Sequence, residues 1–129
     1  MNKILVEVSV GELLDKISIL EIKQDKIKDL EKLKFIKEEH SILNDQLNEN
    51  IKSDEKINNL FSSLKEINAK LWVIEDEKRQ CEKEQNFTDK FIKLSRDVHF
   101  LNDDRAKIKL EINNHTGSKI KEIKEYTSY

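Results

Sequence analysis

With no proline, two glycines and 39% charged side chains in 129 residues, this chain has few helix breakers and few strand formers, so it reads as mostly α and built from long helices. Its formal charge of −2, with no segregated basic block, gives no electrostatic reason for a nucleic-acid or anionic-membrane surface, and neither partner is expected. Only 36% of the residues are hydrophobic, so a monomeric core would be thin and a homodimer is the expected state of one helical domain spanning 1–129.

Residues 3–8 read as one short β-strand, because Ile4, Val6 and Val8 alternate with Leu5, Glu7 and Ser9 in a run too short for a stable helix. A lone strand needs its symmetry mate, the C-terminal tail or a helical groove to lie on. Ser9 and Glu12 form an S-x-x-E capping box, with Val8 and Leu13 at the staple positions, which starts a first helix over about 10–28. Its seam runs through Val10, Leu13, Ile17, Leu20 and Ile27 while Ile19 and Ile22 lie opposite, the pattern of a helix sandwiched inside a bundle or between subunits. The phase slips after Ile27, and Asp29 caps a second helix over about 30–48 that carries Leu33, Ile36, His40, Leu43 and Leu47. A kink or short turn is expected between the two.

The polar stretch Asn48–Asp54 is the clearest loop. Beyond it Ile57, Leu60, Leu64, Ile67, Leu71 and Ile74 keep the three-four spacing of a coiled-coil-like seam, giving a third helix over about 54–83. Gln85, Asn86 and Thr88 mark the next connection, and a fourth helix over about 89–114 ends before Gly117, leaving a tail over 115–129. Short connections make neighbouring helices antiparallel, so the expected architecture is an antiparallel bundle of helical hairpins preceded by one strand.

Arg105 interrupts the apolar seam of Leu94, Val98, Leu101, Ile108 and Ile112, and a core-facing arginine needs a carboxylate partner or a bound anion. Glu21 and Glu75, on or beside the seams of their own helices, are the expected partners. Asn68, Trp72, Glu75 and Arg79 recur at i, i+4, i+7 and i+11 on the third helix, and Asn102, Arg105, Ala106, Lys109 and Asn113 form a matching stripe on the fourth. Facing each other, these stripes would enclose a crevice with a largely buried Trp72, suited to an anionic small molecule held by Asn68, Trp72, Arg79, Asn102, Arg105, Lys109 and Asn113. The favoured account makes Arg105 an internal ion pair that fixes helix register, with Trp72 in the core and Arg79 and Lys109 as solvated edge residues.

No metal site and no cofactor are read in the chain. His40, His99 and His115 are far apart, and His40 on an apolar seam reads as a packing residue. Glu12 with Asp15, Glu75 with Asp76 and Asp103 with Asp104 form no doubled carboxylate motif on one seam, and Glu12 and Asp15 point away from the apolar face of their helix. Cys81 is alone and has no base beside it, and a phosphate-binding glycine loop is absent. With no leader or membrane-length apolar run in the sequence, the cytoplasm is the expected compartment.

The segments Val8–Lys23, Leu71–Arg79 and Asn102–Asn113 resemble a family of short bacterial proteins known only as a domain of unknown function, and the resemblance spans nearly the whole chain. It marks Glu12, Asp15, Lys16, Glu21 and Lys23 in the first segment. In the second it marks Trp72, Glu75, Asp76 and Arg79, and in the third Asn102, Asp103, Arg105, Lys109 and Asn113. His99 stands where the family pattern has tyrosine, and Leu30 where it has proline. The resemblance implies that this polar set acts together and supplies no activity.

These features lead to a non-catalytic helical interaction or binding protein. The alternative is a small all-α enzyme acting on an anionic carboxylate or phosphate metabolite, similar in style to helical chorismate mutases, with Glu75 as its acid/base. Unpaired cations in a concave pocket would favour the enzyme, and paired cations with open apolar surface the interaction protein.

Overall fold

The structure, a computed structural model, describes residues 2–129 and contains four helices: α1 (Val10–Lys26), α2 (Leu30–Asn50), α3 (Glu55–Glu84) and α4 (Asp89–Thr116). Three of the four starts are fixed by side-chain caps. Ser9 Oγ accepts from the Glu12 amide at 3.0 Å, Asp29 Oδ1 from Lys32 at 3.0 Å and Asp54 Oδ1 from Ile57 at 2.8 Å. The Glu12 carboxylate does not reach back to complete its box, because it is engaged by Lys109 at 2.7 Å. Between α1 and α2 the chain turns a corner at Ile27–Asp29, with Ile27 in an extended conformation, so the two helices are separate. α3 ends on Gln85 and α4 on Gly117, both in the left-handed region that closes a helix.

α1 is the central element and packs against all three other helices, whereas α2 packs on α1 alone. Pairs along the interfaces give the directions. Gly11 meets Asn113 and Asp15 meets Arg105, so α1 is antiparallel to α4. Glu21 meets His40, so α2 is antiparallel to α1 as well. Asp54 meets His115 at one end of the α3/α4 hairpin, and Lys78 lies over the Phe91 ring towards the other. The shared core is built from Leu14, Ile57, Leu64 and Ile112, flanked by Val10, Leu47, Ile51, Leu60, Phe61 and Ile108. The apolar residues on both sides of α1 are therefore accommodated within one chain, with Ile22 buried and Ile19 half-buried.

α1 and α4 approach so closely that a Cβ on Gly11 would stand 2.6 Å from the Lys109 carbonyl oxygen. The absent side chain lets the Gly11 amide donate to Asn113 Oδ1 at 2.7 Å.

The expected strand over 3–8 is not formed, and among the described residues no strand is present. Ile4, Leu5 and Val6 are 86%, 81% and 74% exposed on an extended arm. A strand needs a backbone partner, and the C-terminal tail is held instead against α1 and α4 by its side chains. Ser118 Oγ accepts from the Val10 amide at 3.2 Å, Glu122 accepts from Lys109 at 2.8 Å, and the Tyr129 ring stands edge-on to His99 and Phe100 while its hydroxyl bonds to Asp103.

Candidate functional site

A knot of polar side chains joins α1, α3 and α4 inside the bundle. Asp15, 1% exposed, accepts from Arg105 Nε at 3.0 Å and Asn68 Nδ2 at 2.8 Å on Oδ1, and from an Arg105 Nη at 2.5 Å on Oδ2. Ser18 Oγ donates to the Asp15 carbonyl at 2.7 Å and accepts from Asn68 at 2.9 Å. These two acceptors fix the orientation of the Asn68 amide. Lys109, also buried, is bonded to Glu12 and Glu122 and stands 3.9 Å from Asp15. Burial alone would raise the Asp15 pKa, but the hydrogen bonds from Arg105 and Asn68 and the charges of Arg105 and Lys109 outweigh it, holding the carboxyl below its usual value. For Lys109, burial acts to lower the pKa and is likewise outweighed, here by the hydrogen bonds to Glu12 and Glu122 and nearby carboxylate charge, so the ammonium is held above its usual value. Among the described residues no buried side-chain nitrogen or oxygen is left without a partner.

Arg105 thus pairs with neither Glu21 nor Glu75. Glu21 accepts from Lys65 at 3.1 Å and lies 3.1 Å from His40, tying α1 to α2 and α3. Glu75 is exposed. Nor do Glu12 and Asp15 point away from the bundle: α1 is enclosed on nearly every side, so its polar edge also faces protein. Gly11, Asp15 and Ser18, at i, i+4 and i+7, were the available signal, since small residues flanking a carboxylate on one helix edge mark a close neighbour.

The two predicted stripes meet only in part. Asn68, Trp72, Glu75 and Arg79 of α3 share a crevice of about 340 Å³ with Arg105 of α4, and Ile19 and Ile22 of α1 form its far wall. Trp72 is half-buried there, less covered than expected, because its other side faces this opening. Lys109 and Asn113 lie nearer the C-terminal end of α4, where they anchor the start of α1. Asn102 is half-buried and does not line the crevice. α1 lies across the lower part of the stripes and occupies the space a continuous crevice would need.

Two groups at the crevice floor have unused bonding capacity. Arg105, which lines the crevice, uses Nε and one Nη on Asp15; its side chain is 29% exposed and its remaining N–H groups make no hydrogen bond among the described residues. Asn68 is 5% exposed and both its N–H groups are engaged, while its side-chain carbonyl oxygen, which keeps some solvent contact, has no donor among the described residues. Elsewhere, a shallow groove of about 620 Å³ on α3 and α4 exposes Val73, Ile74, Phe100 and Leu101. Among the described residues no three His, Cys, Asp or Glu side chains are placed to hold a metal ion, and Cys81 is buried.

A family model described as a family of unknown function, DUF6165, matches residues 4–129 and so takes in the knot, the crevice and both extended ends. The chain belongs to this family. No curated protein and no solved structure matches it. Among the described residues no helix is long and apolar enough to cross a membrane.

Proposed function

We propose that this chain is a non-catalytic helical binding protein that works by association, with a second copy of itself as the partner. The observation that carries this reading is the closure of its inward cations: Arg105 is taken by Asp15, and Lys109 by Glu12 and Glu122. A pocket built to bind an anion keeps such cations free. Open apolar side chains are present at the same time, including Leu5 on the arm, Phe35 and Ile42 on α2, and Val73 and Phe100 on the α3/α4 groove. The lone buried Cys81 suits a reducing compartment, and the cytoplasm is the setting proposed. Sedimentation equilibrium at micromolar concentration tests the association. The expected result is a dimeric mass that falls to the monomer in an Ile4→Ser, Val6→Ser variant of unchanged circular dichroism; a monomeric wild type would refute self-association.

The crevice itself favours a second reading, an all-α enzyme acting on an anionic metabolite, because Arg79 and the open edge of Arg105 stand beside Glu75. Against it, the Arg105 charge is already balanced by Asp15, and the carboxylates of Glu75 and Asp76 share the rim with Arg79. A thermal-shift series with citrate and phosphate decides between the readings. Stabilisation that depends on Arg79 would favour the enzyme, and an unchanged midpoint the binding protein.

A further inference from the structure

We propose that the Trp72 crevice is a binding site for a free α-amino acid with an apolar side chain. This goes beyond the reading of the chain as a self-associating protein and does not depend on it.

The floor carries an acceptor and a donor set side by side. Asn68 lines the crevice, is more than nine-tenths buried and has its amide N–H groups fixed by Asp15 and Ser18, while its carbonyl oxygen accepts no hydrogen bond among the described residues. The Arg105 guanidinium next to it contacts the same Asp15 oxygen, at 3.0 Å against 2.8 Å for Asn68, and presents its unused N–H groups. The Asn68 amide nitrogen and the Arg105 guanidinium converge on one carboxylate oxygen, so an acceptor and a cationic donor stand on neighbouring side chains, as the ammonium and carboxylate of an α-amino acid stand on one carbon. The ammonium donates to Asn68 Oδ1, and the carboxylate accepts from Arg105.

The rim carries groups of both signs, Glu75 and Asp76 for the ammonium and Arg79 for the carboxylate. Ile19, Ile22 and Trp72 offer an apolar wall to the side chain of the ligand. A volume of about 340 Å³ lies at the small end of ligand pockets, suited to a single amino acid rather than a nucleotide or a folded peptide. Because Asp15 already satisfies the charge of Arg105, the floor is neutral as a unit, which favours a zwitterion over a polyanion.

Trp72 is the only tryptophan, so its emission reads occupancy directly in the unmodified full-length protein. L-Leucine is the probe. The expected result is a saturable change in Trp72 emission. N-acetyl-leucine, which resembles a peptide C-terminus, and leucinamide, which resembles an N-terminus, should each bind at least about tenfold more weakly, since each lacks one charged group. Glu75→Gln and Arg79→Gln change exposed positions and should each weaken leucine by about tenfold with unchanged circular dichroism. No saturable response up to about 10 mM leucine would overturn the proposal. So would equal binding of either blocked form, or a response to citrate or phosphate in place of leucine. Self-association is read from mass and not from emission, so the two proposals can fail separately.

Discussion

Asp15 and Arg105 close the ion pair that joins α1 to α4 inside the bundle. Removing Arg105 leaves a carboxylate with 1% exposure facing only Asn68 and the more distant Lys109. Arg105→Ala is expected to cost about 3–5 kcal/mol in urea unfolding, while Asp15→Leu with Arg105→Met should recover most of it, since two apolar side chains leave no buried charge unpaired. A single mutant as stable as the parent would mean that Arg105 contributes no architecture. The pH dependence has a definite sign. The Asp15 carboxyl is held below its usual value in the folded protein, so the unfolded chain, with its carboxyl near 3.9, takes up the proton first as pH falls. The contribution of Asp15 is therefore complete above about pH 5 and is lost as acidity carries it through its folded pKa. Asp15→Asn should flatten the acid limb of the stability profile and lower the neutral plateau. That Arg105 needs a partner was legible from its seam position; that the partner is Asp15 was not, because hydrophobic periodicity assigns Asp15 to the solvent side of a helix that has almost no solvent side.

Two helix starts were legible because capping chemistry is local, and Ser9 and Asp29 each bond within their own first turn; the cap at Asp54 lay unread at the end of the polar loop. The strand was misread for the complementary reason: alternation reports a segment's preference, while a strand also requires a distant backbone to pair with. Helix packing depends on similarly distant detail, and Gly11 shows how much. Alanine is the better helix former by about 1 kcal/mol, so on local grounds Gly11→Ala should stabilise α1. Yet its Cβ would stand 2.6 Å from the Lys109 carbonyl oxygen, a backbone atom that moves only if α4 moves. Overpacking of this kind costs about 1–3 kcal/mol, so the variant is expected to be destabilised on balance. A thermal melt showing Gly11→Ala at or above the parent midpoint would show that the α1/α4 contact yields easily.

At the scale of the whole molecule the helices are unequally held. α1 is enclosed by α2, α3 and α4, and α3 with α4 forms the most extensive pair. α2 contains no fully buried residue and packs against α1 alone. Its attachment consists of half-buried residues such as Leu33, Ile36, Leu43 and Leu47 together with the bond between His40 and Glu21. Local opening takes the elements with the fewest buried contacts first. The bundle should therefore open in two steps, α2 lifting from α1 before the Asp15 knot between α1, α3 and α4 is disturbed. Native-state hydrogen exchange is the direct test. Amides in the middle of α2 are expected to exchange through an opening of lower free energy, with weaker dependence on denaturant than those of α1 and the centre of α3, because less surface is exposed. His40→Ala should speed exchange in α2 and leave the slowest amides of α3 unchanged. If α2 and α1 instead share one free energy and one denaturant dependence, the four helices unfold as a single unit and the half-buried face of α2 is bound more firmly than its packing implies.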